Sequence, residues 1–498
     1  MQSSAPHTGY FARAFTPVHE NLANSGGVPA RLANERYVES LARIVYYWGY
    51  PAVDCFGRTE MWEQMKSAGP GTLLGLFPAA PKNTMAYLDD YMPPAQRKVV
   101  SPNADTIYGV GFVDLTYEGV VLQTPAEVPD GHYWVIQIVD IFTTVTHTLG
   151  SARKTPGGKF LLVGPRWKGP KPAGFVDVLR SPTHVAGVFG RSFTARTPET
   201  KARARAVLNQ IGLWPQSQDT PSRRTFDCEA VARNKVFPPG ITADMVANDP
   251  DMLRNRPVNP RTFWNVLQKA LDANPDVAED DAPMAVQART LLALRDADPA
   301  WRSLIDRAAF EADAELHDAA KYHQTGVEAG NGWQRQENGG LWGTDWFGRA
   351  QAAVIYIFVN DYHEAVYFAR GTDARGGLLE GRYRYSMRFE KGALPPVDRT
   401  RGGFWSVTMY DHDYFMLPSS PNGRNNIGTV NLDANELKFA PDGSLTLHFS
   451  RQAPDSEAER ANWLPAPDGP FALLVRTYVV TEPIQNGTYK LPDVVRVR

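Results

Sequence analysis

The sequence predicts an α+β protein of mainly β character, in which two antiparallel β-sandwich or jelly-roll-like domains are joined by a helical segment. Short apolar runs bounded by Gly, Pro or Asp occupy residues 99–196 and return after residue 377, whereas helical periodicity dominates residues 197–368. Glycine (41) and proline (39) are abundant, and aromatic residues make up 11% of the 498-residue chain. This composition favours strands connected by turns.

The first regular element is predicted to be a helix from about Glu35 to Trp48. Apolar residues recur there at the three- and four-residue spacing of one helix face. Asn34 is a suitable N-cap, and Gly49 and Pro51 are expected to end the helix.

Strands are predicted wherever short apolar runs stand between turn residues. In the first β region they are Val110–Leu115, Gly119–Thr124, Tyr133–Val139 and Phe160–Val163. In the second they are Tyr383–Phe389, Phe404–Tyr410, Leu445–Phe449 and Phe471–Val480. The sequence shows no evident internal repeat.

Between these regions, three helix starts are predicted by a capping residue followed by proline, since the first helical N–H has no partner to lose. They are Thr197-Pro198, Asn259-Pro260 and Asp298-Pro299. A further helix is expected near Trp346–Phe358.

We therefore expect four segments along the chain. They are a loosely structured N-terminal segment (1–32), an N-terminal β-rich domain with its leading helix (33–196), a helical connecting region (197–370) and a C-terminal β-sandwich or jelly-roll domain (371–498).

The overall charge and the cysteine count exclude several classes of protein. With 52 basic and 54 acidic residues the net charge is -2, which lacks the basic excess of nucleic-acid binders. The sequence contains no run of 18 or more apolar residues, so no membrane span is predicted. Cys55 and Cys228 form no CxxC motif, and whether they form a disulfide stays open. The absence of a Walker motif and of a GxGxxG motif after a strand argues against a nucleotide cofactor.

Seven short segments of the two β regions carry a family resemblance. They are Ser101–Tyr108, Tyr133–Asp140, Leu161–Pro165, Pro395–Val397, Phe404–Asp411, Asp442–Thr446 and Asn462–Phe471. The chain resembles a bacterial family built from two tandem domains of unknown function, DUF1254 followed by DUF1214. The resemblance implies two β-rich domains joined by helices, and proteins that are often periplasmic or secreted. A cytoplasmic location is the alternative, because residues 1–6 carry neither the basic nor the apolar region of a signal peptide.

Four polar residues near strand ends are candidate catalytic residues. Asp105 is a candidate general base or metal ligand, Tyr108 is a candidate partner that orients the substrate, and Asp140 and Asp411 each end an apolar strand. If the strands end at one rim, Asp140 would lie near Asp105, and the two carboxylates could share a proton. Asx-turns explain the same residues without any catalytic role.

Four further residues are candidate substrate-binding groups. Asn103 and Tyr410 are polar neighbours of the candidate acids, Trp405 offers an aromatic surface, and Arg476 interrupts an apolar strand. A charge on such a strand must be paired if it is buried. Arg476 is therefore expected either to hold a substrate carboxylate or to bridge to an acid such as Asp411.

No metal site is predicted, and His412 and His147 are the alternative ligands if a divalent metal is bound. The leading hypothesis is an enzyme that hydrolyses or lyses a polar, aromatic or sugar-like small molecule with clustered Asp, Tyr and Arg groups. The alternatives are a metal-dependent oxidoreductase and a non-catalytic small-molecule or carbohydrate-binding protein. A small-molecule partner is expected, nucleic acid and membrane are not, and a homo-oligomer stays open.

Overall fold

The computed structural model describes residues 34–65, 80–94, 96, 99–218, 220, 223–226, 258–321 and 325–497. It confirms a mixed α+β protein with two β-rich domains. Within the described residues, the strands of the first β region are β1 Met85–Leu88, β2 Thr106–Asp114, β3 Val120–Thr124, β4 Trp134–Asp140, β5 Val145–Gly150, β6 Gly158–Val163, β7 Phe175–Arg180, β8 Val185–Phe193, β9 Gly212–Pro215 and β10 Arg223–Phe226. Those of the second are β11 Val327–Glu328, β12 Gln334–Arg335, β13 Ala365–Arg370, β14 Arg384–Phe389, β15 Phe404–Asp411, β16 Asn426–Gly428, β17 Leu445–Ser450, β18 Trp463–Pro465, β19 Phe471–Tyr478 and β20 Val495–Val497.

Three of the helices in the described residues, which span 263–321, lie between the two β regions, and the others precede or interrupt these regions. In chain order, the helices of these residues are α1 Glu35–Met65, α2 Pro198–Leu208, α3 Phe263–Ala273, α4 Ala282–Ala297, α5 Pro299–Lys321, α6 Trp346–Ile355, α7 Thr429–Asp433, α8 Glu457–Ala461 and α9 Glu482–Gln485. Helix α1 packs against α3, α4, α5 and α6, so the leading helix belongs to one helical layer with the connecting region. None of the helices in the described part of the chain has the length and apolarity needed to cross a bilayer.

Each β region forms two sheets. In the first region they have the strand orders β10-β1-β2-β8-β4-β5 and β7-β6-β3-β9, and in the second β11-β12-β13-β19-β15-β16 and β18-β17-β14-β20. Strands β2–β9 and β13–β20 therefore share one topology, in which β2 corresponds to β13, β3 to β14, and so on to β9 and β20. Even the parallel pair β6–β7 has its counterpart in the parallel pair β17–β18.

The strand register fixes which residues of the two copies correspond. Val135 of β4 pairs with Arg191 of β8, and Ser406 of β15 pairs with Arg476 of β19. In this alignment Tyr133 and Trp134 correspond to Phe404 and Trp405. Asp140, which ends β4, corresponds to Asp411, which ends β15. The expectation of no internal repeat is therefore wrong. The repeat is hard to see in the sequence because few matched residues are identical; along β4 and β15 these are Trp134 with Trp405 and Asp140 with Asp411.

The first sheets of the two domains meet through matched aromatic residues. The rings of Tyr133 and Phe404, which correspond, are 5.4 Å apart. Tyr133 also contacts Tyr478 at 5.5 Å, and the matched contact of Phe404 with Phe193 is 4.6 Å. Reciprocal contacts of this kind are the signature of an approximate two-fold relation between two surfaces.

The predicted end of the first helix is wrong. Asn34 does cap the helix by accepting the N–H of Tyr37 at 3.2 Å, but α1 continues through Gly49 and Pro51 to Met65. A Cβ at Gly49 would lie 3.0 Å from the side chain of Leu267 on α3. The glycine thus permits close packing of two helices rather than ending one.

Two of the three predicted capping starts are confirmed. Thr197 accepts the N–H of Thr200 at the start of α2, and Asp298 accepts the N–H of Ala300 at the start of α5. The third is displaced, because Asn259 forms a turn and α3 begins only at Phe263.

Candidate functional site

A cavity of about 70 Å³ lies where the first sheets of the two domains meet. Strands β2 and β8 supply one side and β13 and β19 the other, while segments 99–103 and 356–359, which precede β2 and β13, close it. Its polar lining consists of two arginines, four tyrosines, Asn103 and Ser101, and its apolar lining includes Val110, Phe189 and Phe358. The two matched domains therefore build one shared cavity.

Each domain contributes one cross-strand pair of Tyr and Arg to this cavity. Tyr108 of β2 is opposite Arg191 of β8, and at the matched positions Tyr367 of β13 is opposite Arg476 of β19. All four side chains line the cavity. The repeat thus doubles the same pair of functional groups.

Arg191 is buried and is held by three neutral acceptors. It donates to Gln137 Oε1 at 2.7 Å, to Asn360 Oδ1 at 2.9 Å and to the carbonyl oxygen of Phe358 at 2.9 Å. Its guanidinium lies 5.8 Å from the ring centre of Tyr108. None of these partners carries a negative charge.

Arg476 is buried to the same degree and is held in the matched way. It donates to Thr408 Oγ1 at 3.1 Å and to the carbonyl oxygen of Ser101 at 2.5 Å. Thr408 occupies on β15 the position that Gln137 occupies on β4. The guanidinium also lies 5.5 Å from the ring centre of Tyr410.

The tyrosine hydroxyls around the cavity are oriented by two asparagines. The backbone N–H of Asn103 donates to Tyr108 Oη at 2.9 Å and its side-chain amide donates to Tyr478 Oη at 3.0 Å. Asn360 donates to Tyr367 Oη at 2.8 Å. Tyr367 Oη and Tyr478 Oη lie 3.5 Å apart, so one of these two hydroxyls donates to the other, whereas the O–H of Tyr108 is left to donate into the cavity.

The cavity therefore has positive electrostatic character. No Asp or Glu belongs to its lining in the described part of the chain. Burial raises the pKa of Tyr478 well above its ordinary value and that of Tyr410 to about 12, although Arg476 opposes both shifts. These tyrosines stay neutral at pH 7, while both guanidinium groups stay charged.

Asp105 lies beside the cavity, at the contact of the two domains, rather than in the lining. Its Oδ1 accepts the side-chain amide of Asn426 at 2.6 Å, and its backbone N–H donates to Asn103 Oδ1 at 2.8 Å. Burial raises its pKa, with Ser406 and Arg476 acting in the opposite direction. The carboxyl group thus links the N-terminal domain to β16 of the C-terminal domain.

Asp140 and Asp411 are matched residues that both form turns. Asp140 Oδ1 accepts the backbone N–H groups of Phe142 and Thr144, both at 2.9 Å. Asp411 Oδ1 accepts those of Asp413 and Phe415, which occupy the matching positions, both at 3.0 Å. Burial, together with nearby Asp281, raises the pKa of Asp140 to about 7.

The structure does not bring the candidate acids together. Along β8, Thr106 pairs with Phe193 whereas Asp140 pairs with Ala186, so Asp105 and Asp140 are separated by about 23 Å of strand. Asp411 is likewise five positions along β15 from Ser406, the strand partner of Arg476, and it forms no ion pair with that arginine.

The candidate binding residues divide into two groups. Asn103, Tyr108 and Arg476 line the cavity, and Tyr410 adjoins it by donating to the carbonyl oxygen of Pro102 at 2.6 Å. Trp405 instead packs in the core of the C-terminal domain, against Phe389.

Neither alternative metal ligand lines this cavity. His412 is half exposed beside Asp413, and His147 of β5 is partly buried next to Thr146. Within the described residues no three His, Cys, Asp or Glu side chains are grouped to hold a metal ion. Cys55 is buried with a free thiol, and Cys228 lies outside the described residues.

Sequence reasoning missed Arg191, Tyr367 and Tyr478. Arg191 interrupts the apolar strand β8 as Arg476 interrupts β19, so the argument made for one arginine applied equally to the other. A second sequence pattern could have revealed the internal repeat. Both β4 and β15 carry an aromatic residue followed by Trp, with Asp six residues after the Trp.

Comparisons with known proteins agree with this architecture. Residues 82–215 match the family described as "Protein of unknown function (DUF1254)" and residues 364–482 match "Protein of unknown function (DUF1214)". A comparison with curated proteins gives no match.

Two solved structures are similar to this chain. The VPA0106 protein from Vibrio parahaemolyticus has a TM-score of 0.59 and 19% identity, covering 93% of this chain and 100% of that chain. An uncharacterized protein from Burkholderia cenocepacia has a TM-score of 0.43 and 13% identity, covering 96% of this chain and 93% of that chain. The first similarity supports the fold. The two family matches, in the predicted order, show that the chain belongs to the proteins in which a DUF1254 domain is followed by a DUF1214 domain.

Proposed function

We propose that this protein binds a small molecule carrying a carboxylate in the cavity between its two domains. One observation carries the proposal, namely that two buried arginines line one cavity whose lining, among the described residues, contains no acidic residue. This is the small-molecule binding alternative predicted from the sequence, with the ligand class now narrowed to anions.

The electrostatics of the two arginines favour an anionic ligand. A buried charge is costly unless an opposite charge accompanies it. Among the described residues, the hydrogen-bond partners of Arg191 and Arg476 are amide, hydroxyl and carbonyl oxygens, and Asp105, an acid close enough to Arg476 to be affected by it, has its pKa raised by burial. A carboxylate would offset both the charge and the unused donors, since a guanidinium has five N–H groups and pairs with carboxylates in a bidentate way.

The remaining walls restrict the size and polarity of the ligand. A cavity of about 70 Å³ is about half the size of one that binds benzene. Phe189, Phe358 and Val110 provide apolar surface next to the donors. The ligand class is therefore a short carboxylate with an apolar portion, and a sugar is disfavoured because it needs acceptors as well as donors.

Catalysis by hydrolysis or lysis remains a second proposal, and the orientation of Tyr108 supports it. Its oxygen accepts the N–H of Asn103, so its O–H is free to donate to a bound ligand. Any acid step in the cavity would fall to such a hydroxyl, because the carboxyl groups of Asp140 and Asp411 are engaged in turns. Conversion of a bound carboxylate, followed by NMR with wild-type protein and Tyr108→Phe, tests this. Turnover that is unchanged in Tyr108→Phe would remove the tyrosine from the mechanism.

Calorimetric titration with short carboxylates tests the binding proposal. Arg191→Gln and Arg476→Gln should each weaken binding about tenfold or more, because a hydrogen bond to a charged group contributes about 1.5–3 kcal/mol. Arg370→Gln is the matched control, since Arg370 is also a buried strand arginine but pairs with Asp493 at 2.6 Å outside the cavity. Equal losses in all three variants, or no binding of any carboxylate by folded wild-type protein, would contradict the proposal.

A further inference from the structure

The internal repeat places one arginine from each domain in the cavity. Arg191 and Arg476 occupy matched sites on β8 and β19, one in each domain. Tyr108, Tyr367 and Tyr478 lie close enough to both guanidinium groups to affect the charge of each. The three tyrosines are therefore the shared surroundings of two charges.

Reciprocal contacts hold the two guanidinium groups in place. Arg191 of the N-terminal domain is held by the carbonyl of Phe358, in the segment that leads into the C-terminal domain. Arg476 of the C-terminal domain is held by the carbonyl of Ser101, in the segment that leads into β2. Each arginine is also bonded to its own sheet, through Gln137 or Thr408. Side chains held from two directions are not free to swing together onto one anion.

Building on the binding function proposed above, we infer that the ligand is a short dicarboxylate, with one carboxylate paired to Arg191 and the other to Arg476. Two fixed positive charges call for two negative charges. The volume of about 70 Å³ restricts the chain between them to a few carbons. The O–H of Tyr108, whose oxygen accepts the N–H of Asn103, serves as a further donor to a carboxylate oxygen.

A matched series of ligands tests this inference on the full chain. Oxalate, malonate, succinate and glutarate are titrated at pH 7 beside acetate, propionate, butyrate, pentanoate and inorganic phosphate. The best dicarboxylate should bind at least about tenfold more tightly than the monocarboxylate of equal carbon number. A monocarboxylate or phosphate that binds as tightly would overturn the two-anion inference, while the binding function itself would stand. If no carboxylate binds, the binding function fails as well.

A double-mutant cycle locates each carboxylate. The tightest dicarboxylate and its monomethyl ester are titrated against wild-type protein, Arg191→Gln, Arg476→Gln and Arg370→Gln. If each carboxylate has its own arginine, losing one arginine and esterifying one carboxylate cost less together than their separate costs predict. Arg370→Gln should bind both ligands as the wild type does. A cycle in which only one of the two cavity arginines affects the dicarboxylate would overturn the inference.

Discussion

Replacing Glu364 by Gln should stabilise the protein at neutral pH and have little effect near pH 4.5. Glu364 precedes β13, is fully buried and accepts the hydroxyl of Tyr133 at 2.9 Å. Burial raises its pKa from 4.5 to about 7, with Asp361 adding to the shift and Tyr133 opposing it. The folded state therefore binds a proton that the unfolded state has already released between pH 4.5 and 7.

The sign and size of the effect follow from this difference in bound protons. Because the folded state binds more protons, the free energy of unfolding falls as the pH rises through this window. A pKa difference of about 2.5 corresponds to about 3 kcal/mol in the free energy of unfolding, and the protein loses this stability as the pH rises above 7. Glu364→Gln keeps an oxygen that accepts from Tyr133 but cannot ionise. Its melting temperature should exceed that of the wild type by several degrees at pH 8, up to about 10 °C, since about 1 kcal/mol shifts the melting temperature by 2–4 °C in domains of 150–250 residues.

Thermal unfolding of the wild type and the variant at pH 4.5, 5.5, 6.5 and 8 measures the effect. Glu390→Gln is the control, because it makes the same chemical change on a side chain that is 72% exposed. A Glu364→Gln variant that is less stable than the wild type at pH 8 would refute the reasoning. It would mean that Arg153, whose Nε lies 3.6 Å from the Glu364 carboxyl, makes the ionised form the stable one.

Three other substitutions test the packing and the buried polar groups. Arg349→Gln should cost about 3–5 kcal/mol in thermal unfolding, since Arg349 pairs with buried Asp281 at 2.7 Å and 3.1 Å and its loss leaves that carboxylate buried without its cation; a cost below 1 kcal/mol would contradict the importance of this pair. Asp105→Ala should lower the melting temperature because it leaves the Asn426 amide without its acceptor, whereas Asp105→Asn should lower it less because its amide oxygen can still accept that hydrogen bond; equal melting temperatures for the two variants would count against this bridge. Gly49→Val should destabilise by about 1–3 kcal/mol because its side chain would meet α3, and a stabilised variant in the same assay would show that the two helices can move apart.

Much of the secondary structure could be predicted because it depends on neighbours in sequence. Apolar runs bounded by turn residues located the strands that became β2, β4, β15 and β19, and caps located the starts of α2 and α5. The first helix was cut short at Gly49 because glycine usually ends helices. Its role in packing against α3, more than 200 residues away, cannot be seen locally.

The candidate site was predicted only in part, for the same physical reason. Arg476 was identified because a charge inside an apolar strand must have a partner. Asn103 and Tyr108 were identified as polar groups close to the start of a strand, and all three residues line the cavity. The aspartates were overweighted, because a carboxylate at a strand end has the same local pattern whether it binds a ligand or closes a turn.

By itself, the sequence determined the fold class, the order of the two domains and the presence of polar groups at the ends of apolar strands. These features follow from side-chain periodicity and turn chemistry, which act over a few residues. Only the tertiary structure decided that the domains are matched copies, and that Arg191 and Arg476 share one cavity although they are far apart in the chain. The approximate two-fold packing of the sheets brings them together, and such a contact depends on the pairing of distant strands rather than on any local pattern.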